Sequence, residues 1–383
     1  MLAQEELLET SFEKFSGMNR SSDRLTTPPG FYYDLLNGYC KKDIKSGQGF
    51  IIQRNGCSKL NSTVLSAGIF GSNTKIRTLF EAKWDGGSVD VIIRAGTAWG
   101  IFDGINSFTG LDTGRSDDVY GQCVMFQNQL LMVDGGIPRK CTSAYTVSNL
   151  SADANMPQDS TAIWVHRDKV WLNSQANPMI AYFCTTNSAN GATSWTGTTD
   201  AGTINLSTIL PEGDTIVGFR SVGGYGSNQI AIICRKYTVV FQATSNVYAF
   251  QLIQYFPTTC ASINATDYLG TDLVYPSLNS FTSLALQVAG NNLEVKSLSD
   301  YIQPLWRSTV ALFTDTTQIA AGYDKTLNLF YITFPTSSSP QIFVYSIDIG
   351  NFVGRYTYPF TVYSFKYRLS GQMLMGADGY VYI

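Results

Sequence analysis

The chain has 383 residues, a formal net charge of -3 and only 14% charged side chains, alongside 22 Tyr, 22 Phe and 34 Gly. A single hydrophobic core stops growing at roughly 250–300 residues, so a chain of this length divides into domains or repeated modules. The near-neutral, slightly acidic balance argues against a protein that grips nucleic acid through clustered Lys and Arg.

Residues 2–15 place Leu7, Leu8, Phe12 and Phe15 at helical spacing beside Glu5, Glu6, Glu9 and Glu13. This predicts a short amphipathic helix, marginal by itself, that packs on its own domain or docks on a neighbouring subunit. Its acidic residues stand where a signal peptide carries basic ones. No run approaches the roughly 18 apolar residues of a membrane span, so the chain is expected to be made in a cytoplasm and to stay soluble. Residues 17–61 follow as a largely extended lead-in. Pro28, Pro29 and Gly30 fix an extended or turning backbone, Ile51 and Ile52 mark entry into a sheet near Phe50, and Asn55-Gly56 suits a tight hairpin turn.

From residue 88 onward one pattern recurs: an apolar run, a short polar turn, then a second apolar run. The runs begin at Val89, Val124, Ile163, Ile230, Leu273, Leu327 and Met373. Most of these starts lie near the roughly 40–50 residues of one four-stranded propeller blade. The long gap between Ile163 and Ile230 is expected to hold a surface loop at residues 185–200, rich in Ser, Thr, Asn and Gly. The chain finishes on a hairpin around Asp378-Gly379 and stops inside a strand, which suggests a propeller closed by strands from both termini, with residues 50–53 as partner. The expected architecture is an all-β propeller of about six or seven blades: residues 1–48 form an arm of short helix and extended lead-in, and residues 49–383 the propeller.

Catalytic vocabulary is sparse. The single histidine, His166, falls in the expected turn of the Ile163 hairpin, and nothing around it orients a nucleophile. One histidine cannot build a His-based metal site, and no calcium-loop motif occurs. The seven cysteines are scattered without a C-x-x-C and read as free, mostly buried thiols in a reducing compartment. Ser188, Asn190, Gly191 and Trp195 approach the sialidase box Ser-x-Asp-x-Gly-x-Thr-Trp but lack its aspartate and its spacing. Trp164 and Trp171 lie on hairpin strands, where packing is the commoner role for an aromatic than sugar stacking. No catalytic, cofactor-binding or metal-binding residue is assigned, and the expected class is not an enzyme. A carbohydrate-binding propeller or a glycosidase of a phage tail is the alternative.

Gly17, Asn19, Asn37, Gly38, Lys41, Lys42, Arg54 and Gly56 near the start, with Gly376, Asp378, Gly379, Val381 and Tyr382 at the end, stand in short phrases. Their layout resembles the tail nozzle, or tail-stabilisation, proteins of short-tailed bacteriophages. That resemblance implies a structural virion protein: a homohexameric ring below an adaptor and portal, plugged by a needle or flanked by tail spikes, through whose lumen DNA passes during ejection without sequence-specific binding. It further implies a virion-tail location after assembly in the host bacterial cytoplasm, with Leu7, Leu8, Phe12 and Phe15 docking on the adaptor or an adjacent subunit. A weakly charged lumen wall suits a conduit, because it does not hold phosphates. Two features depart from the family pattern: the chain is short, and Arg54-Asn55-Gly56 replaces the more usual Arg-Pro-Gly.

Overall fold

A computed structural model describes residues 16–22, 31–32, 34–42, 49–54, 56–196, 200–223, 227–244, 249–287, 292–313, 316–335 and 340–383. Residues 7, 8, 12 and 15 of the expected helix, and Pro28 to Gly30, lie outside them. Between residues 76 and 356 the chain folds six successive times into a four-stranded antiparallel sheet whose strands pair in sequence order. These sheets cover residues 76–112, 122–149, 163–205, 216–256, 267–297 and 320–356. A seventh sheet has three strands, Ser364–Tyr367, Met373–Gly376 and Val381–Tyr382. Around most of the circuit the first strands of neighbouring sheets lie against one another, and the last meets the first. The protein is a seven-bladed β-propeller, here numbered blades 1 to 7 in chain order.

The seven hairpins read from the sequence fall one in each blade, but in mixed phase. Some are the first and second strands of their blade and others the second and third. Counted from second strand to second strand, the spacings are 40, 40, 60, 43, 57 and 44 residues. The 60-residue interval holds the expected loop, residues 185–200, between Ile180–Phe183 and Gly202–Asn205 of blade 3. The 57-residue interval holds an element that strand periodicity does not reveal, the helix Gln303–Val310 between blades 5 and 6. Pro304 near its start presets the first turn. Trp306, fully buried, anchors it against Phe334, Phe343 and Phe352, and the indole donates to the Ser277 carbonyl at 3.1 Å.

Blade 7 is completed from the beginning of the chain. Lys59 bridges to Tyr382 in antiparallel sense, Leu60 N donates to the Val381 carbonyl at 2.9 Å, and Ser58 and Ile383 exchange backbone bonds of 3.0 and 2.9 Å. Closure from both ends is therefore present, but its partner is residues 58–60 and not residues 50–53. Gly49–Gln53 instead pairs with Gly38–Lys42, an antiparallel hairpin that belongs with the lead-in. Asn55 of the expected Asn55-Gly56 turn lies outside the described residues. From Gly56 the chain crosses to blade 7, where the edge of Val381–Tyr382 and the pocket of Leu65, Phe70, Ile76 and Leu374 give it a partner and a core.

Val381 is fully buried in that pocket. Val381→Ala should lower unfolding free energy by about 2 kcal/mol in urea denaturation with an unchanged m-value. Leu369→Ala, at a side chain 70% exposed, should stay within about 0.5 kcal/mol of the parent.

Candidate functional site

The phrase residues at the two chain ends converge on the outer side of blades 5, 6 and 7. Met18, fully buried, enters the aromatic core shared by blades 5 and 6, beside Phe281, Trp306 and Phe352. Gly17 before it adopts φ +104°, and a Cβ there would stand 2.8 Å from both the Asn351 side chain and the Phe352 carbonyl, so only glycine fits. The Asn19 side chain accepts from the backbone of Ser21 and Ser22 at 3.0 and 3.2 Å and turns the chain. Residues 35–37 then add to the outer strand of blade 6, Asn351–Tyr356. Leu36 bridges in parallel to Arg355, whose backbone N donates to Leu35 and whose carbonyl accepts from Asn37 at 2.7 Å. Asp34 pairs with the Arg355 guanidinium, with Nε at 3.0 Å. The two backbones come so close that a Cβ on Gly354 would lie 2.1 Å from the Gly38 carbonyl oxygen.

Asn37 joins this seam to the other phrase. Its side-chain oxygen accepts from Thr357 N at 2.9 Å and from Arg54 Nε at 3.0 Å. The Arg54 guanidinium lies 4.3 Å from the ring centre of Tyr358, which stacks on Phe360, which in turn stacks on Tyr382 at 3.8 Å. A column of Arg54, Tyr358, Phe360 and Tyr382 therefore links the opening and closing phrases. Asp378 forms a backbone bridge with Lys75 at the entry to blade 1, and Gly379 N donates to the Thr74 carbonyl at 2.8 Å. A Cβ added at Gly56 would meet nothing within 4 Å, Gly376 approaches Ile76 and Ser364, and Lys41 is half-buried on its strand. Convergence of the two phrases was not readable from either one alone, because the aromatic column between them comes from residues 358 and 360.

A second concave region lies on the axis. Connections between blades and the turns between second and third strands form a funnel of about 560 Å³ on one face, lined in part by Asp118, Asp134, Asn173, Gln175 and Arg235. Asp134 is locked. It accepts from Arg94 Nε, Arg115 Nε and Trp99 Nε1, each at 3.1 Å. Burial pushes its carboxyl up, but the Arg115 and Arg94 guanidiniums outweigh this and hold it below the usual carboxylate range. Asp118 is likewise held low against its burial by Arg77 and Lys75, at 2.6 and 3.0 Å. A glycosidase acid needs the opposite shift, a carboxyl kept protonated near neutral pH. Tyr120 closes the funnel floor by reaching across the axis from blade 2, its hydroxyl 2.8 and 2.9 Å from the Gln318 and Tyr363 carbonyls that accept its proton. Among the described residues no three His, Cys, Asp or Glu side chains converge as for a metal ion.

His166 is not an exposed turn residue. The turn consists of Arg167 and Asp168, both with positive φ, so His166 is the last residue of its strand, paired with Lys169 and 2% exposed. Its Nδ1 lies 2.9 Å from the Ser221 hydroxyl of blade 4. Burial, with the nearby Arg167 charge, depresses its pKa to about 4. Trp84, Trp99, Trp171, Trp195 and Trp306 are buried, and Trp164 packs beneath Arg220 on the axis. Trp195, from the near-miss box, donates to the Ala189 carbonyl and sits in the core of blades 2 and 3. All seven cysteines are free, five of them buried.

Neither a protein-family profile nor a curated protein matches the sequence. Among solved structures, the fold is similar to streptogramin B lyase, with a TM-score of 0.54 at 10% identity over 85% of this chain and 96% of that one. The WD40 domain of Neurospora crassa Pan2 aligns with a TM-score of 0.52 at 11% identity, over 85% and 94% of the two chains. The extracellular domain of BT4673 from B. thetaiotaomicron gives 0.54 at 11% identity over 85% of this chain, which spans only 39% of that structure. At such identities the likeness establishes the propeller fold alone.

Two measurements probe these seams. Gly354→Ala should release the lead-in, seen in limited proteolysis as early cleavage before residue 57 with the blades still resistant. For His166, an unfolded pKa near 6.5 against about 4 when folded means that its contribution is complete above pH 6.5 and lost as pH falls towards 4. The parent should therefore lose roughly 2 kcal/mol between pH 6.5 and 5 in urea titrations, and His166→Gln should flatten that interval.

Proposed function

We propose that this chain is a structural subunit that assembles with copies of itself into a ring, the nozzle of a short bacteriophage tail, and that it works by conducting DNA and not by catalysis. The observation that supports a subunit role most directly is the outer strand of blade 4, Phe250–Phe256. It is seven residues long, carries no charge, and exposes residues 251–255 in succession, including Leu252, Ile253 and Tyr255. A bare, uncharged edge of this length is a template for pairing with another chain, which folded proteins otherwise cover or protect with charge. Elsewhere this chain does both. Its own residues 35–37 cover the outer strand of blade 6, and Glu294 and Lys296 mark that of blade 5.

Ring closure needs a heterologous interface, two different patches on each copy. The exposed Ile51 on the free strand of the lead-in hairpin offers a second apolar edge. The family phrases support the nozzle assignment in particular, because they hold the lead-in on blade 6 and close blade 7. On this reading a homohexamer sits below an adaptor and portal in the virion tail.

Mass photometry over a concentration series, alone and with adaptor-bearing virion particles, tests the proposal. The parent should give closed rings with an axial hole in negative stain. Ile253→Lys, at a half-exposed site that leaves the blade core intact, should shift the population to monomer with an unchanged melting temperature. Monomers under both conditions, together with glycan binding, would replace the nozzle by a carbohydrate-binding propeller.

A further inference from the structure

Between blades 6 and 7, under the lead-in hairpin, lies a slot of about 200 Å³ whose lining includes Tyr39, Asp324, Tyr331, Tyr356, Tyr358 and Met373. Three parts of the chain build it. Tyr39 comes from the hairpin strand Gly38–Lys42, Asp324, Tyr331 and Tyr356 come from three strands of blade 6, and Met373 comes from the second strand of blade 7. Gly56 and Gln372, both exposed, line it where it meets solvent. Tyr331 packs against Tyr356 at 5.8 Å and against Phe365 at 6.0 Å between ring centres, so the walls are held by the aromatic core behind them.

Two oxygens of this lining, Asp324 Oδ2 and the Tyr39 hydroxyl, have no hydrogen-bond partner among the described residues. Asp324 uses Oδ1 for the backbone N–H groups of Thr326 and Leu327, at 2.8 and 3.1 Å. Both residues are nearly buried, Tyr39 at 4% and Asp324 at 8% exposure, yet neither oxygen is sealed off, and the slot is the space that both line. Burial first, and the Asp324 charge after it, push the Tyr39 and Tyr331 hydroxyls up, which places the carboxylate near both. The cation that acts on these tyrosines is Arg54, at the Tyr356 and Tyr358 end, and it is committed to Asn37 Oδ1 and the Tyr358 ring. Lys325, next to Asp324 in the chain, acts on Asp267 and Lys366.

A carboxylate without a counter-ion in a largely apolar slot is costly until a cation joins it. A primary ammonium brings three donors, which Asp324 Oδ2 and the Tyr39 and Tyr331 hydroxyl oxygens can accept through charge-assisted bonds. Leu327, Ile342 and Met373 offer an apolar flank for its organic body. We infer that this slot binds a small primary organic ammonium ion, with Asp324 as its counter-ion. An apolar cavity of roughly 150 Å³ holds benzene, so a slot of about 200 Å³ admits one ring or a short alkyl chain that carries the charge. The site goes beyond the nozzle proposal and would exist in the isolated subunit.

Calorimetric titration of the full chain with benzylammonium chloride, benzyl alcohol and sodium benzoate, at constant ionic strength in potassium chloride, tests the inference by changing charge at nearly constant shape. Benzylammonium should bind saturably and about tenfold or more tighter than benzyl alcohol, and benzoate should not bind. Asp324→Asn keeps an acceptor for Thr326 and Leu327 and removes the charge. It should lower the benzylammonium affinity about tenfold or more while leaving that for benzyl alcohol unchanged. Tyr39→Phe, which removes only the hydroxyl, should weaken benzylammonium severalfold. Equal affinity for the three compounds, no saturable binding of benzylammonium, or an affinity unchanged in Asp324→Asn would overturn the assignment.

Discussion

The structure depends on one short antiparallel pairing, residues 58–60 against the last strand of the chain. A propeller of separate blades has two raw edges until its ends meet, and each is a liability for pairing with other chains. Here the pairing also fixes direction. With residue 60 committed to blade 7, the described residues before 57 lie on the outside of the ring, and blade 1 begins next to blade 7. The Asp378-Gly379 turn occupies that junction and bonds back to residues 74 and 75.

Outside the ring, the lead-in follows the surface with the greatest need for cover. The outer strand of blade 6 is six residues long, and the aromatic core behind it, Phe281, Phe330, Phe343 and Phe352, takes in Met18. Parallel addition of residues 35–37 satisfies the strand's backbone, while the Asp34 pairing with Arg355 fixes register. The glycines at 17, 38 and 354 permit contact distances that a side chain would prevent. Against this treatment, the outer strand of blade 4, Phe250–Phe256, pairs on its outer side with no strand among the described residues.

The axis is organised by charge and not by apolar packing. Arg94, Arg115 and Asp134 bind blade 1 to blade 2 at the funnel rim, Arg77 and Lys75 hold Asp118, and Tyr120 spans the ring. Buried ion pairs of this kind contribute little net stability relative to apolar replacements, but breaking one partner is costly. They therefore act to fix the relative placement of blades more than to drive folding. Asp118 and Asp134 are held below the usual carboxylate range by these guanidiniums and Lys75, whereas burial pushes the carboxyl of Asp267, facing Arg220, up.

The sequence by itself determined the class and bracketed the count at six or seven: apolar runs broken by polar turns encode strands through period-two burial, and the structure has seven blades. It also placed the blade 3 loop and the closing hairpin, because Asp-Gly and Ser/Thr-rich stretches specify local backbone conformation. It did not reveal the helix around Trp306, whose eight residues are stabilised by the aromatic rings of two blades and not by helical propensity. Nor could it show that His166 is buried, since a two-residue turn at 167–168 and a four-residue turn look alike until the pairing of 166 with 169 is known. The partner of the last strand, the column joining Arg54 to Tyr382, and the pairing of Arg77 with Asp118 were decided only by tertiary structure. Each joins residues far apart in the chain, and no local preference encodes which edge, ring or donor will face which once the circle closes.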